Sequence, residues 1–207
     1  MTAIAYPITH PTTPAFVSCG FIARSVVAQS ISPFSLVTQE QEHDGQALEM
    51  AMQLPPMKRA QAEEWVAFLL RLHGKRGTFY MTPPGGGTPR GSILGTPMVS
   101  GPSQTGDVLV VDGWTPSATG VLLAGDWIQL GTGATSRVHK VLENADASAG
   151  GVTSLRLWPS LRESPGNNSA VVVTNPVGVF KLLSNDAQWD VGLAQVYGIS
   201  LAAREDL

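Results

Sequence analysis

The sequence predicts a mainly β fold with one α-helix, and three observations predict it. The 207 residues include 22 Gly and 15 Pro, which interrupt the chain too often for a helical bundle. Only residues 57–74 repeat apolar side chains at helical spacing. Most other segments alternate apolar and polar residues, or run as short apolar stretches between turn residues, as strands do. A composition of 43% hydrophobic and 14% charged residues, with a net charge of -3, describes a soluble globular protein with a neutral surface. It excludes a disordered tail and a general polyanion binder.

Taken in order, the first fifteen residues, MTAIAYPITHPTTPA, carry three prolines and no hydrophobic period. They read as an extended arm that orders only when something covers it, such as a neighbouring subunit. From Ser32 to Pro56 the pattern is that of a half-buried hairpin, with Asp44-Gly45 as its tight turn. In its second strand Leu48, Met50, Met52 and Leu54 alternate with Ala47, Glu49, Ala51 and Gln53, which puts the larger apolar side chains on one face. The polar run QEQEHDGQ, residues 39–46, then forms a projecting tip.

Pro55-Pro56 stop the strand, and a helix follows with Ala62, Trp65, Phe68, Leu69 and Leu72 on its buried stripe and Gly74 as its C-terminal cap. KRGTFYM, residues 75–81, reads as a strand returning beside the hairpin. The Gly/Pro-rich PPGGGTPRG after Thr82 marks a junction. Strand-like segments at 107–114, 120–131, 136–145 and 152–162 are short and evenly spaced, which suggests a small antiparallel barrel or sandwich. Three more strand candidates, in residues 170–184, 185–196 and 197–206, return to the first unit. The economical topology is a split first domain, 1–82 with 166–207, carrying an inserted one at 83–165.

No constellation of catalytic or metal-ligating residues emerges. His10, His43, His73 and His139 fall in an arm, a hairpin tip, a helix end and a strand, with no shared ligand spacing. Cys19, the single cysteine, lies in the apolar FVSCGFI and reads as a buried, inert thiol. Asp107, Asp112 and Asp126 each adjoin a glycine, so turn chemistry accounts for them. The glycine clusters at 85–87 and 131–136 lack the Lys-Ser/Thr and helix of a phosphate-binding loop. Arg137, Arg156 and Arg162 form no cluster in sequence, so no sequence-specific nucleic-acid face is expected. No apolar run approaches the ~18 residues of a membrane span. No Lys or Arg precedes Arg24, so a secretory start is not expected either, and synthesis in a reducing cytoplasm is the natural reading. Neither cofactor nor metal is expected.

The segments AEEWVAFLLRLHGKRGTFYMTPP, LVVDGW, AGDWIQLG, SLRLWPSLR and GVFKLLSNDAQWDVG give the chain a likeness. Over residues 20–205 it resembles the distal tail proteins of long non-contractile-tailed bacteriophages, and the related subunit of gene transfer agents. The resemblance implies a split β-sandwich belt domain related to tail-tube proteins, with a small β-barrel inserted. It implies a structural virion protein without enzymatic activity, six copies of which close into a ring joining the tail tube to the baseplate or tail-tip hub. The implied partners are further copies of the chain, the tail-tube protein, the hub and the tape measure protein. Its place would be the virion tail tip after assembly in the host cytoplasm.

A ring subunit must offer strand edges that neighbours complete. On this ground Gln39, Gln41, Glu42, His43 and Asp44 are the candidate subunit-interface residues. Two other readings differ in class. Trp114 or Trp127 could stack on a host-surface carbohydrate, making residues 83–165 a binding module. Asp112, Asp126 or Glu143 could supply acid/base chemistry in a tail-associated cell-wall hydrolase.

Overall fold

The computed structural model describes residues 4–207. The protein is mainly β with a single α-helix, as its composition and periodicity predict. Its strands form two sheets. The first is built from β1 (Ile8–Thr9), β2 (Ser18–Ile31), β3 (Thr38–Gln53), β4 (Met57–Lys58) and β5 (Thr78–Met81), then from three late strands. The second contains β6 (Gly95–Val99), β7 (Gly106–Trp114), β8 (Trp127–Leu130), β9 (Arg137–Val141) and β10 (Thr153–Leu161). The late strands of the first sheet are β11 (Gly178–Leu182), β12 (Trp189–Val191) and β13 (Val196–Glu205).

The first sheet has the order β1-β5-β11-β13-β3-β2, with β4 and β12 flanking the first half of β13. Strand β5 therefore sits beside β11, two strands away from the hairpin, and not beside it as its position in sequence suggests. The sequence places β11 and β13 far downstream, yet they fill the gap between β5 and β3 and make the sheet continuous.

Helix α1 (Arg59–Arg71) packs on this sheet through Ala62, Trp65, Val66, Phe68 and Leu69. Its stripe shares one core with Leu48, Met50, Met52 and Leu54 of the β3 segment, each no more than 2% exposed. Burial of each such side chain contributes roughly 1.5–3 kcal/mol. The helix ends in two left-handed residues, His73 (φ 50°) and Gly74 (φ 66°), and the Gly77 N–H bonds back to the Leu72 carbonyl at 2.7 Å.

From Ile4 onward the arm lies on its own chain, where the sequence left a neighbour as its cover. β1 pairs parallel to β5, Ile8 is buried, and His10 stacks on Trp65 at 5.7 Å. The Trp65 indole N–H donates to the Thr13 carbonyl at 3.3 Å. Residues 1–3 of the arm lie outside the described residues.

The second sheet runs β6-β7-β10-β9-β8. Its edge strands are joined by one segment: the Val171 N–H reaches the Pro97 carbonyl, while Val172 and Gln129 exchange both backbone bonds at 2.8 and 3.0 Å. The curled sheet is thereby closed into a small barrel, with Val171 and Val173 in its core. The sequence-based boundary at 166 assigns these residues to the first unit, but their hydrogen bonds go to the second sheet. Trp127 and Val138 of the second sheet join the core of the first. The Gly/Pro-rich junction is packed too, since a Cβ on Gly86 would lie 2.5 Å from the Trp127 ring. Among the described residues no helix is long and apolar enough to cross a membrane.

The hairpin itself corrects the sequence reading. Asp44-Gly45 is not its turn; β2 and β3 pair along their whole lengths, and the chain reverses at 32–37. There the Ser32 N–H bonds to the Val37 carbonyl and the Leu36 N–H to the Ser32 carbonyl, with Leu36 at φ 57°. Asp44 and Gly45 are the two extra residues of a bulge, because Ser25 pairs Gln46 while the adjacent Val26 pairs His43. A Cβ on Gly45 would approach Val26 Cγ2 to 2.8 Å, so a larger residue there must displace the Val26 side chain.

Removing Asp44 and Gly45 together keeps the two-residue period of the strand. The deletion is expected to leave a regular hairpin and a thermal midpoint within a few degrees of the parent. A loss of strand signal by circular dichroism, or collapse of the midpoint, would show that the dipeptide is the turn.

Candidate functional site

The hairpin is the most prominent surface feature that the first sheet builds. β2 has 14 residues and β3 has 16, well above the ~5–6 of an ordinary strand. Only the base of β3 is buried, and every residue from 20 to 45 except Ser32 is exposed. The base is held by Phe21 against Trp127 at 6.0 Å and by the Arg24–Glu49 ion pair at 2.8 Å, in which Glu49 is buried.

Among the described residues β2 is the terminal strand of its sheet, so the backbone groups along its outer border lack a sheet partner there. Its side chains include Phe21, Ile22, Val26, Val27 and Ile31, all exposed, and Arg24 is its one charged residue. An exposed border of this length without Pro or Lys is a template for strand addition.

Gln39, Gln41, Glu42, His43 and Asp44 all lie in the outer half of β3, exposed, and not at a tip. Strand alternation divides them. Gln39, Gln41 and His43 share one face, and Glu42 shares the other with Glu40. The true tip, Pro33 to Val37, escaped the sequence reading; Phe34 is 98% exposed there. An exposed Phe and Leu between two strand-like runs was the available signal.

Two of the three residues weighed for acid/base chemistry, Asp126 and Glu143, have partners for their side chains. The Asp126 carboxylate accepts from the backbone N–H groups of Arg90, Gly91 and Leu123 at 2.8, 3.1 and 2.8 Å. It pins the junction to the barrel. Glu143 and Asp107 both pair with Arg156, at 3.5 and 3.3 Å. Asp112 stands on β7 opposite Met98. Trp114 and Trp127 are buried, and Lys140 Nζ lies 4.5 Å over the Trp127 ring, so neither offers an open face to a sugar. Cys19 is half-buried and its thiol is pushed up by desolvation. Among the described residues no group of His, Cys, Asp and Glu side chains converges in a metal-binding set.

Two arginines that are apart in sequence do meet. Arg137 and Arg162 line a cleft of about 400 Å³ with Leu130, His139, Leu161 and Leu207. Both guanidinium groups are engaged by the protein: Arg137 with the Ala134 and Ser136 carbonyls, Arg162 with the Gln46 carbonyl and Glu205. Glu205 is fully buried at the end of β13, its Oε2 3.1 Å from Arg162, and its Oε1 has no hydrogen-bond partner among the described residues. With the Ser160 N–H bonded to Gln46 Oε1 at 2.7 Å, this cluster ties the barrel to the root of the hairpin.

Buried His139 belongs to the same cluster, with Nδ1 2.7 Å from the Pro159 carbonyl. Desolvation holds its pKa below the ordinary value; Arg162 and Arg137 act in the same direction, against the Pro159 hydrogen bond and Glu205.

Comparison with protein-family models and with curated proteins finds no match for this chain.

Two measurements probe the cluster. Arg162→Ala leaves the Glu205 charge buried and unpaired, and is expected to cost about 3–5 kcal/mol in denaturant unfolding. The double change Arg162→Met with Glu205→Leu should restore most of that loss. For His139 the depressed folded pKa makes its contribution present above the unfolded value of about 6.5 and lost as pH falls through the folded value. The parent should therefore lose stability more steeply than His139→Asn between neutral pH and pH 5. Parallel slopes would show that this histidine does not titrate on unfolding.

Proposed function

We propose that this chain is a structural subunit that assembles with copies of itself into a closed ring, as a distal tail protein of a long-tailed bacteriophage. The observation that carries the reading is the open border of β2, with exposed apolar side chains and almost no protective charge. A strand added by a neighbouring copy would satisfy this border, and cyclic closure would satisfy every one of them once. The resemblance to distal tail proteins supplies the rest of the reading. The split belt, made of the first sheet and its helix, forms the ring, six copies close it, and it joins the tail tube to the tip hub with the barrel facing outward. The tape measure protein would be a further neighbour. Structural roles for Asp126, Glu143, Trp114 and Trp127 favour this reading over a hydrolase or a sugar-binding module.

The hairpin can be shortened without touching the core, since Ala28 to Gln41 is exposed apart from Ser32. Replacing Ala28–Gln41 by Asn-Gly joins the paired residues Val27 and Glu42 through a two-residue turn. The shortened protein is expected to keep its fold by circular dichroism and to remain monomeric. The parent should form rings by light scattering and negative-stain microscopy. A parent that stays monomeric at high concentration, alone and with a tail-tube partner, would defeat the reading.

A further inference from the structure

The two ends of the first sheet carry opposite charge around exposed apolar residues. At the hairpin end, Phe34, Leu36 and Val37 are exposed, and behind them come Glu40, Glu42 and Asp44. No Lys or Arg occurs between residues 25 and 46. β13 is antiparallel to β3, so its first residues, with β12 and the turn between them, lie at the end away from the hairpin tip. There Leu193 is fully exposed, and Trp189, Val191 and Val196 are also exposed.

The same far end holds the residues just before β5, because β5 and β13 are both antiparallel to β11 and run towards the hairpin tip. Arg71, Lys75 and Arg76 are exposed there and form no ion pair among the described residues. The Lys75 N–H donates to Asn185 Oδ1 at 3.2 Å, which sets this basic turn beside the segment leading into β12. Asp186 and Asp190 share the end, but Lys58, paired opposite Val196, adds a fourth cation.

From this we infer that the acidic hairpin tip of one copy docks head to tail on the basic, apolar end of a second copy, around Leu193, Lys75 and Arg76. The inference rests on the reading of the chain as a self-assembling subunit, and adds a contact along the strand axis to the lateral one made by β2. Within one chain the two surfaces point to opposite ends and cannot meet. Between copies each supplies what the other lacks: Phe34 and Leu36 meet Leu193 and Val191, while Glu40 and Glu42 face Lys75 and Arg76. Exposed charges of this kind set register and encounter rate, and their effect weakens with salt. A heterologous contact leaves one of the two surfaces free on each outer copy, so a further copy can add unless the arrangement closes on itself.

The test is site-directed cross-linking in the full chain with Cys19→Ser. Copies carrying Phe34→Cys are mixed with copies carrying Leu193→Cys and gently oxidised. Disulfide-linked dimers should form well above the level reached with Ser103→Cys, an exposed control on the second sheet. Glu40→Lys with Glu42→Lys on the hairpin copy should lower the yield about tenfold at low salt. Lys75→Glu with Arg76→Glu on the other copy should restore it. A yield at the control level, insensitivity to both charge changes, or failure of the restoring pair would overturn the docking. Light scattering of uncrosslinked protein separates the two readings: rings without the 34–193 link leave the ring and remove the docking. The link without rings leaves the docking and removes the ring.

Discussion

Backbone hydrogen bonding governs this molecule, because each sheet must do something with its borders. The second sheet spends residues 168–173 on the problem: they bond to β6 on one side and β8 on the other, so its edge strands are covered by the chain itself. The first sheet is treated differently. Its β1 border is two residues long, an ordinary way of blunting an edge. Its β2 border runs for 14 residues with no strand beside it among the described residues. One chain thus covers the edges of one sheet and leaves a long edge of the other exposed, on a hairpin whose outer half is exposed on both strands.

A projecting hairpin is useful only if its root is rigid. The polar cluster at that root is placed accordingly. Gln46, the first β3 residue after the bulge, accepts from Ser160 through its side chain and from Arg162 through its carbonyl. Arg162 in turn holds Glu205 from β13, the strand that joins the early and late parts of the sheet. Buried ion pairs add little net stability compared with apolar packing. Their value here is orientation, since a fixed donor geometry sets the angle between barrel and hairpin, whereas apolar surfaces alone can slide.

Much of this was legible from residue pattern. The helix stripe and the Leu48 to Leu54 alternation are local periodicities, and both faces are buried as the periods require. The hairpin turn was not legible, for an identifiable reason. Asp-Gly is the expected turn dipeptide because glycine tolerates positive φ, but Gly45 serves the bulge by lacking a Cβ, and Leu36 carries the positive φ of the real turn. The same mistake hid the tip, so the interface candidates from Gln39 to Asp44 fell on the right hairpin but along its strand. The arm was misread because its anchor, His10 and Thr13 on Trp65, joins residues more than fifty positions apart and leaves no period. Arg137 and His139 are two apart on β9, but their meeting with Arg162 and Glu205 is likewise a product of topology.

The bulge shows how the two demands on the hairpin are reconciled. Below it, alternation must bury Leu48, Met50 and Met52 under the helix. Above it, both faces meet solvent in the single chain, and neither needs to be apolar for the core. A two-residue bulge preserves the alternation while adding local twist and bend to the strand. The outer half can then leave the direction of the sheet without disturbing the register beneath. A continuous ladder of the same length would hold the hairpin in the plane of its own sheet. If the chain is a self-assembling subunit as proposed, the twist of the bulge sets the angle at which the β2 border and the Glu40 and Glu42 face of β3 are presented to a second copy.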